Sequence, residues 1–298
     1  MRLRPSRKRI ILAAAIIIVL FLVVLPAGIA WKSLHPARCD SRETPSDYGL
    51  EYTSFTVNTS DGVVLRGWEI SPRAGEKSAI VILMHGYTSC KADPRLLRVA
   101  GRLSSMGYRV VMFDFRAHGE SGGGMTTIGP LEARYDAPAV IRYVEEEHPG
   151  RPIVLLGYSM GAVVAIMAGK DEPAVAGIVA DSPYPVLEWV IPRWLKSTMG
   201  VPEWYSRIIG FWGELFSGVD TRYGPLLLDR VDKPVLVIVG TGDPLITVDE
   251  AREIAGKSCC GDTLVVEGAG HIEAAQKAPA LYFERLDSFI LAAAGGAG

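Results

Sequence analysis

The amino-acid sequence predicts an α/β fold, a mostly parallel, doubly wound sheet with a helical insert late in the chain. First, short runs such as residues 79–84 are wholly apolar, as is typical of parallel strands buried on both faces. Second, these runs alternate with stretches of helical spacing. Third, the apolar run Ile153–Leu156 turns through Gly-Tyr-Ser-Met-Gly into a helix of small residues. A chain of 298 residues, 49% of them hydrophobic, can bury one large core of this class.

Charge and cysteine content exclude several other classes. The net charge is −2, and no basic patch with interleaved aromatic residues follows residue 40, so no nucleic-acid partner is expected. The four cysteines, at positions 39, 90, 259 and 260, have no histidine at metal-ligand spacing, so neither a metal nor a cofactor is predicted. No disulfide framework is indicated, although an oxidising compartment would permit one bridge, and Cys39 is interpreted as a plain thiol.

The N-terminus has the pattern of a membrane anchor. Residues 1–9 carry five basic side chains and no acid, and Ile10–Trp31 follows with 22 residues and no charge. As a helix this run would be roughly 33 Å long, enough for a hydrocarbon core of about 30 Å. We therefore expect a signal anchor in the cell membrane, with a cytoplasmic N-terminus and an extracytoplasmic domain. The alternative is a cleaved signal peptide, with Gly28 and Ala30 before the cut, which would give a secreted protein.

The remaining elements are predicted in chain order. A linker at residues 32–49 precedes a domain at 50–298, which opens with a hairpin of two strands around the turn Asp61-Gly62. Strands are predicted at 50–57, 63–70, 79–84, 108–113, 153–156, 174–180, 234–240 and 263–267. Helices are predicted at 96–106, 131–148, 248–257 and 274–294.

A long insert interrupts this alternation at about residues 184–232. It holds four of the six tryptophans, Trp189, Trp194, Trp204 and Trp212. An insert of this length between sheet strands is usually a functional lid, so we expect a helical, aromatic cap over the site.

Ser159 is the first candidate catalytic residue. It lies at the centre of Gly157-Tyr158-Ser159-Met160-Gly161, between a buried strand and a helix. In a nucleophile elbow the serine hydroxyl projects above the sheet, and the glycines are required because a Cβ would collide with neighbouring backbone. A chance match is the alternative in a chain with 32 glycines, so partners must be found elsewhere.

A serine hydroxyl needs an imidazole to take its proton and a carboxylate to orient that imidazole. His271 follows the last predicted strand, and Asp243 follows the strand at 234–240, both at the sheet edge where ligands collect. The order Ser159, Asp243, His271 agrees with enzymes that use this elbow. Two alternatives stay open: Asp243 as the acceptor of an Asx turn, and Asp181 as the acid.

Acyl transfer also requires two donors for the developing oxyanion. The backbone N–H of Met160, at the start of the elbow helix, is one candidate. The other is the backbone N–H of Tyr87, in the loop after the strand at 79–84. Both donors are backbone groups, so their side chains should matter mainly for shape.

Five motifs in order resemble the α/β-hydrolase superfamily across roughly residues 50–295. They are HGYTS (85–89), FDFRAHGESGG (113–123), GYSMG (157–161), GTGDP (240–244) and GAGH (268–271). The strand Asp61–Trp68 is similar to the opening of the Bem46-like group, whose members are often membrane-anchored. The resemblance implies an α/β-hydrolase fold with a Ser159, Asp243, His271 triad. Asp114, Arg116 and His118 are expected to hold their loop in place.

The predicted function is a membrane-anchored serine hydrolase that cleaves carboxylic esters or thioesters through an acyl-enzyme on Ser159. The cap favours a small-molecule or lipid-like acyl substrate. A peptidase of the same fold is the first alternative, although the cap acids Glu188, Glu203, Glu214 and Asp220 form no Glu-Glu pair for a peptide amine. A non-catalytic, membrane-tethered binding module is the second.

Overall fold

An eight-stranded sheet forms the centre of the molecule in a computed structural model that describes residues 7–295. The strand order is β1-β2-β4-β3-β5-β6-β7-β8. β2 pairs antiparallel with β1 and β4, and every other neighbouring pair is parallel. The strands are β1 Tyr52–Asn58, β2 Val64–Ile70, β3 Ile80–Met84, β4 Arg109–Phe113, β5 Ile153–Tyr158, β6 Val175–Asp181, β7 Val231–Gly240 and β8 Ser258–Val266.

Helices cover both faces of this sheet. They are α1 Arg7–Val19, α2 Leu25–Leu34, α3 Pro94–Ser105, α4 Ala137–Glu147, α5 Met160–Gly169, α6 Leu187–Met199, α7 Glu203–Ser217, α8 Val248–Gly256, α9 Ala274–Lys277 and α10 Pro279–Gly295. Buried side chains of α4, α5 and α8 share one core with the sheet, and those of α3 and α10 share the other. The predicted doubly wound α/β fold is confirmed.

α1 and α2 form one continuous helix of 28 residues, Arg7–Leu34, called the N-terminal helix below. A π turn at Leu20–Val24 joins them, with the N–H of Leu25 donating to the carbonyl of Leu20. Pro26 follows this turn and has no N–H to continue the regular ladder. Its length and composition are compatible with a membrane span. Of the basic segment predicted at residues 1–9, residues 1–6 lie outside the described residues.

The insert folds as a helical cap made of α6 and α7, followed by a 3-10 turn at Pro225–Leu227. α6 and α7 each end at a glycine with a left-handed backbone, Gly200 at φ +67° and Gly218 at φ +68°. The cap begins directly after β6 and ends where β7 begins, so it lies over the carboxyl ends of these strands.

Most predicted elements agree with the structure to within three residues at each end, and three differ more. The helix predicted at 131–148 begins with a π turn at Glu132–Asp136, and its α-helical part starts at Ala137. The closing helix predicted at 274–294 breaks at Ala278, because the proline at 279 disfavours helical backbone before it and lacks an N–H. β8 begins at Ser258, five residues before the predicted start at residue 263. Its first part is exposed at the sheet edge, so no apolar pattern marks it.

The prediction of a plain thiol at Cys39 is wrong, because Cys39 forms a disulfide with Cys90. The two cysteines are 51 residues apart and their Cα atoms are 5.9 Å apart. Cys90 follows the loop after β3, and Cys39 follows the N-terminal helix, so their approach depends on how that helix packs. Cys259 and Cys260 are exposed free thiols.

Candidate active site

The turn between β5 and α5 places Ser159 in a strained backbone, with φ 52° and ψ −112°. The flanking glycines are sterically required. A Cβ on Gly157 would lie 2.1 Å from the carbonyl oxygen of Gly161, and one on Gly161 would lie 2.4 Å from that of Met84. Close approach of α5 to β5 and β3 therefore forces the serine onto the sharp turn that the sequence pattern predicts.

Three side chains from separate strand ends form one chain of hydrogen bonds. His271 Nε2 lies 2.8 Å from Ser159 Oγ, and His271 Nδ1 lies 2.8 Å from Asp243 Oδ2. Nδ1–H donates to the carboxylate, so Nε2 carries the lone pair that faces the serine hydroxyl. The structure thus brings together the three residues predicted as a triad, and the imidazole is held in the tautomer that can accept a proton.

Asp243 also accepts the hydrogen bond of an Asx-type turn, the alternative role considered for it. Its Oδ1 accepts from the backbone N–H of Leu245 at 2.9 Å, while Oδ2 accepts from His271. The side chain is fully buried. The Asx-type contact and the imidazole contact therefore use different oxygens of one carboxylate, and the turn fixes the orientation that His271 requires.

Asp181, the alternative acid, makes no hydrogen bond to His271. Its Oδ1 accepts from the hydroxyl of Ser182 at 3.2 Å, and among the described residues its buried Oδ2 has no partner. Burial raises the pKa of Asp181 to about 7. Its backbone carbonyl accepts from the N–H of Ser159 at 2.9 Å, so Asp181 supports the serine through the main chain.

The two predicted oxyanion donors lie next to the serine. Met160 is the first residue of α5, so its N–H has no acceptor within that helix. Tyr87 follows Gly86, and a Cβ on Gly86 would lie 3.4 Å from the Cβ of Ser159. Both Tyr87 and Met160 line the cavity that contains Ser159. Among the turn, loop and cap hydrogen bonds of residues 7–295, neither of these two N–H groups donates to a backbone carbonyl.

The loop after β4 is held by charged pairs, as the sequence predicts for Asp114 and Arg116. Lys91 Nζ lies 2.7 Å from Asp114 and both side chains are buried. Arg116 pairs with Asp136 at 2.7 Å and with Asp61 at 2.8 Å. These paired charges immobilise the loop and do not reach Ser159.

Two buried histidines connect the loop after β4 to the loop after β3, which carries Tyr87. His85 Nε2 accepts from the N–H of Phe115 at 3.0 Å, and burial, reinforced by His118, lowers the pKa of His85 to about 4. His118 Nε2 accepts from the N–H of Thr88 at 3.4 Å. Both imidazoles act as neutral acceptors of backbone hydrogen bonds. These two hydrogen bonds hold the loop that carries Tyr87 against the loop after β4.

A cavity of about 450 Å³ lies above Ser159 and His271. Its volume is within the range of about 300–1,000 Å³ typical of small-molecule sites. Cap side chains form one wall; they are Leu187, Val190, Ile191, Trp194, Leu195 and Ile209. Trp194 is the one cap tryptophan among the cavity-lining residues, whereas Trp189 and Trp204 are exposed and Trp212 packs beside α2.

A second wall comes from the N-terminal region, which sequence reasoning did not assign to the site. Ala30, Ser33 and Leu34 at the end of α2 line the cavity, as do residues 39–41. The phenol of Tyr87 donates to the carbonyl of Ser33 at 2.8 Å, and the N–H of Thr126 donates to that of Leu34 at 2.9 Å. Ala30 lies in a uniformly apolar run, and Ser33, Leu34 and residues 39–41 lie in the segment predicted as a linker, so no pattern in the sequence marked this wall.

No group of three or more histidine, cysteine, aspartate or glutamate side chains in residues 7–295 is arranged to hold a metal ion. Ser159 and His271 line the cavity, as do Tyr87 and Met160, whose backbone amides are the predicted oxyanion donors.

Comparisons with known proteins agree with this geometry. A family model described as serine aminopeptidase, S33, matches residues 75–216. The esterase Pf2001 of Pyrococcus furiosus is similar in structure, with a TM-score of 0.73 and 32% identity over 87% of this chain and 97% of that one.

Two curated relatives are similar in sequence. The Bacillus subtilis protein YqkD is 28% identical over 70% of this chain and 68% of its own length. The lysophosphatidylserine lipase ABHD12 of Rattus norvegicus is 26% identical over 55% of this chain and 47% of its own length. The chain thus spans about half the length of that lipase.

Proposed function

The chain belongs to the α/β-hydrolase superfamily, and we propose that it is a serine hydrolase that cleaves carboxylic esters or thioesters through an acyl-enzyme on Ser159. The observation that carries this proposal is the chain of two 2.8 Å hydrogen bonds from Ser159 through His271 to Asp243 at the floor of a cavity. That arrangement matches the order of proton transfer that acyl transfer requires.

The proposed reaction has two halves. His271 Nε2 takes the hydroxyl proton as Ser159 Oγ attacks the acyl carbon, and the imidazolium then gives that proton to the departing alcohol or thiol. Water next attacks the acyl-enzyme while Nε2 takes one of its protons, and Ser159 Oγ regains a proton as the acid leaves. Asp243 stabilises the imidazolium in each half.

The oxyanion formed in each half would lie between the backbone N–H groups of Tyr87 and Met160. Their position beside Ser159, at the start of α5 and in the loop after β3, supports this role. Two backbone donors fixed before the reaction stabilise developing charge without reorganisation, which is usually a large part of the rate enhancement.

An apolar acyl group is the proposed substrate moiety. The cap wall of the cavity is aliphatic and aromatic, and the N-terminal wall adds Ala30 and Leu34. The printed names of the similar esterase and lipase support an ester substrate. The narrower Bem46-like assignment remains a prediction.

We place the N-terminal helix in the cell membrane as a retained anchor, with its basic start in the cytoplasm and the domain at 50–298 outside it. Retention is supported because Ala30 is buried in one cluster with Leu195, Tyr205 and Ile209 of the cap, and a cut after residue 30 would remove it. The export of the domain is supported by the disulfide between Cys39 and Cys90, a bond typical of oxidising compartments.

A peptidase of the same fold is the second candidate, favoured by the description of the matching family model. The charges of the cap do not support it. Glu203 pairs with Arg207, and Glu214 accepts from Thr221, so these carboxylates are already engaged on the cap surface. Two acids line the cavity, Asp40 and Asp93, and Asp93 is paired with Arg95, which leaves a single carboxylate there without an ion pair among the described residues. Esterase chemistry is therefore proposed first.

The test uses the full chain in lipid nanodiscs, beside a Ser159→Ala variant. We expect hydrolysis of p-nitrophenyl esters of graded acyl length, a loss of at least about 10⁴-fold in kcat in the variant, and fluorophosphonate labelling of the wild type alone. Aminoacyl p-nitroanilides serve as the peptidase comparison. Equal inertness of both proteins towards esters, anilides and the fluorophosphonate would favour the binding module instead.

A further inference from the structure

The two halves of the N-terminal helix differ in their surroundings. No residue of α1, Arg7–Val19, is buried. From Phe21 onwards the helix packs along α7 of the cap: the ring of Phe21 stacks on Tyr205 at 4.8 Å, and Trp31 meets Phe216 edge-on at 5.7 Å. The phenol of Tyr205 also donates to the carbonyl of Phe21 at 2.5 Å. The two helices therefore run side by side and parallel.

The free half is too short to cross a bilayer alone. Its uncharged part, residues 10–20, would extend roughly 17 Å as a helix, whereas the hydrocarbon core of a bilayer is about 30 Å thick. The missing 13 Å or so corresponds to about nine more residues, which are the residues from 21 onwards that lie beside α7. If the helix spans the membrane, the beginning of α7 enters the outer leaflet with it.

The surface of α7 fits that position. Trp204, Phe211 and Leu215 are 54%, 60% and 60% exposed and, with Ile208, they recur at positions i, i+4, i+7 and i+11. This spacing places them on one stripe of the helix, next to the face that packs on the N-terminal helix. The stripe, called the α7 stripe below, extends the apolar surface of the N-terminal helix without a break.

Charge on α7 limits how deep the helix lies. Arg207 pairs with Glu203 at 3.1 Å on the flank of the stripe, and both side chains are largely exposed. A paired charge tolerates the headgroup layer far better than the bilayer centre. Because α7 runs parallel to the N-terminal helix, this pair near its start limits how far α7 enters the outer leaflet.

We propose that the α7 stripe is a second membrane-contact surface, which lies in the outer leaflet and holds the cap against the bilayer. The proposal rests on the membrane anchoring given under Proposed function. The opposite side of α7, with Gly210, Gly213 and Ser217, lines the cavity above Ser159. α7 alone therefore separates this wall of the cavity from the outer leaflet, and the stripe holds the site next to bilayer-resident esters.

The first experiment measures contact with lipid directly. The full chain, with Cys259→Ser and Cys260→Ser, receives one cysteine by Phe211→Cys or, as a control, by Leu281→Cys on α10, which packs on the sheet and not in the cap. Each protein is labelled with bimane and placed in phosphatidylcholine nanodiscs, one chain per disc, with and without doxyl-labelled lipid. We expect at least twofold stronger quenching at position 211 than at position 281.

Equal quenching at the two positions overturns the proposal, as does a label at 211 that is shielded from water but not quenched, which would indicate a protein partner.

A second experiment replaces Trp204, Phe211 and Leu215 with glutamine. Turnover of a long-chain ester in vesicles should fall about tenfold, with hydrolysis of p-nitrophenyl butyrate unchanged. The matched control is Leu281→Gln with Leu291→Gln. An unchanged vesicle rate overturns the proposal.

Failure of the proposed function is distinguishable from failure of this inference. Quenching at 211 in a protein that hydrolyses no ester would leave the membrane contact in place and remove the hydrolase. Ester hydrolysis without quenching at 211 would support the hydrolase and remove the membrane contact of the α7 stripe.

Discussion

The floor and the roof of the cavity are built in different ways. Ser159, Asp243 and His271 follow β5, β7 and β8, so the hydrogen-bond ladder of the sheet fixes their positions. The roof joins the cap to the end of α2 and to residues 39–41, and side-chain packing and one disulfide hold these parts together. Because of this difference, substitutions in the floor should change the rate for every substrate, whereas substitutions in the roof should change which substrate is preferred.

The largest effect is expected at the floor. Asp243→Asn should lower kcat by about 10⁴-fold for esters of every chain length, because the amide no longer holds the imidazole tautomer that accepts the serine proton. The measurement is steady-state hydrolysis of short and long p-nitrophenyl esters. Asp181→Asn is the matched control and should cost far less, since Asp181 does not contact His271. Comparable losses in the two variants would return Asp181 to consideration as the acid.

The next effect tests the attachment of the roof. Replacing Cys39 and Cys90 together with serine should reduce the free energy of unfolding by about 2–4 kcal/mol, because the disulfide restricts a long loop of the unfolded chain. Thermal unfolding in detergent, with and without reductant, measures it. Reductant should lower the Tm of the wild type and leave the double variant unchanged. A wild-type Tm insensitive to a verified reduction would contradict the stabilising role.

A smaller effect separates the specificity of the roof from the rate set by the floor. Ala30→Leu should shift the preference from long to short esters by about tenfold, because the added carbons occupy the cavity at a buried wall position. Gly28→Leu is the control two residues away, since a Cβ there meets open space. The ratio of kcat/KM for decanoate and butyrate esters reports the shift. Identical ratios in both variants would remove Ala30 from the pocket.

The smallest effect concerns the support beneath the floor. Burial lowers the pKa of His85 to about 4, so between pH 6.5 and 4 the unfolded chain binds a proton that the folded chain does not. The stability that His85 contributes is thus complete above pH 6.5 and is lost as the pH falls towards 4. The Tm gap between the wild type and His85→Gln should narrow by a few degrees over that interval. A constant gap would argue against a buried neutral imidazole.

The arrangement of the floor could be predicted from the sequence because each part of it is marked locally. A buried strand, a tight turn and one reactive residue recur three times, and the structure brings Ser159, Asp243 and His271 within hydrogen-bonding distance. The doubly wound fold is confirmed for the same reason. Proline at 279 was equally visible, so the break in the closing helix could have been predicted.

The roof could not be predicted in the same way, because its contacts join residues far apart in the chain. Ala30 belongs to a uniformly apolar run and Leu34 to the predicted linker, and no pattern in either segment marks the side that packs on the rest of the domain. The pairing of Cys39 with Cys90 depends on that docking, so it was missed together with it.

The contact between Tyr205 and Phe21 also sets an order in time. The two residues are 184 positions apart, which at a synthesis rate of about 5–20 residues per second is a delay of roughly ten to forty seconds. The N-terminal helix is made first, yet its partner on α7 emerges only after most of the sheet. The N-terminal helix therefore completes the cavity wall only late in synthesis, although it is the first segment to leave the ribosome.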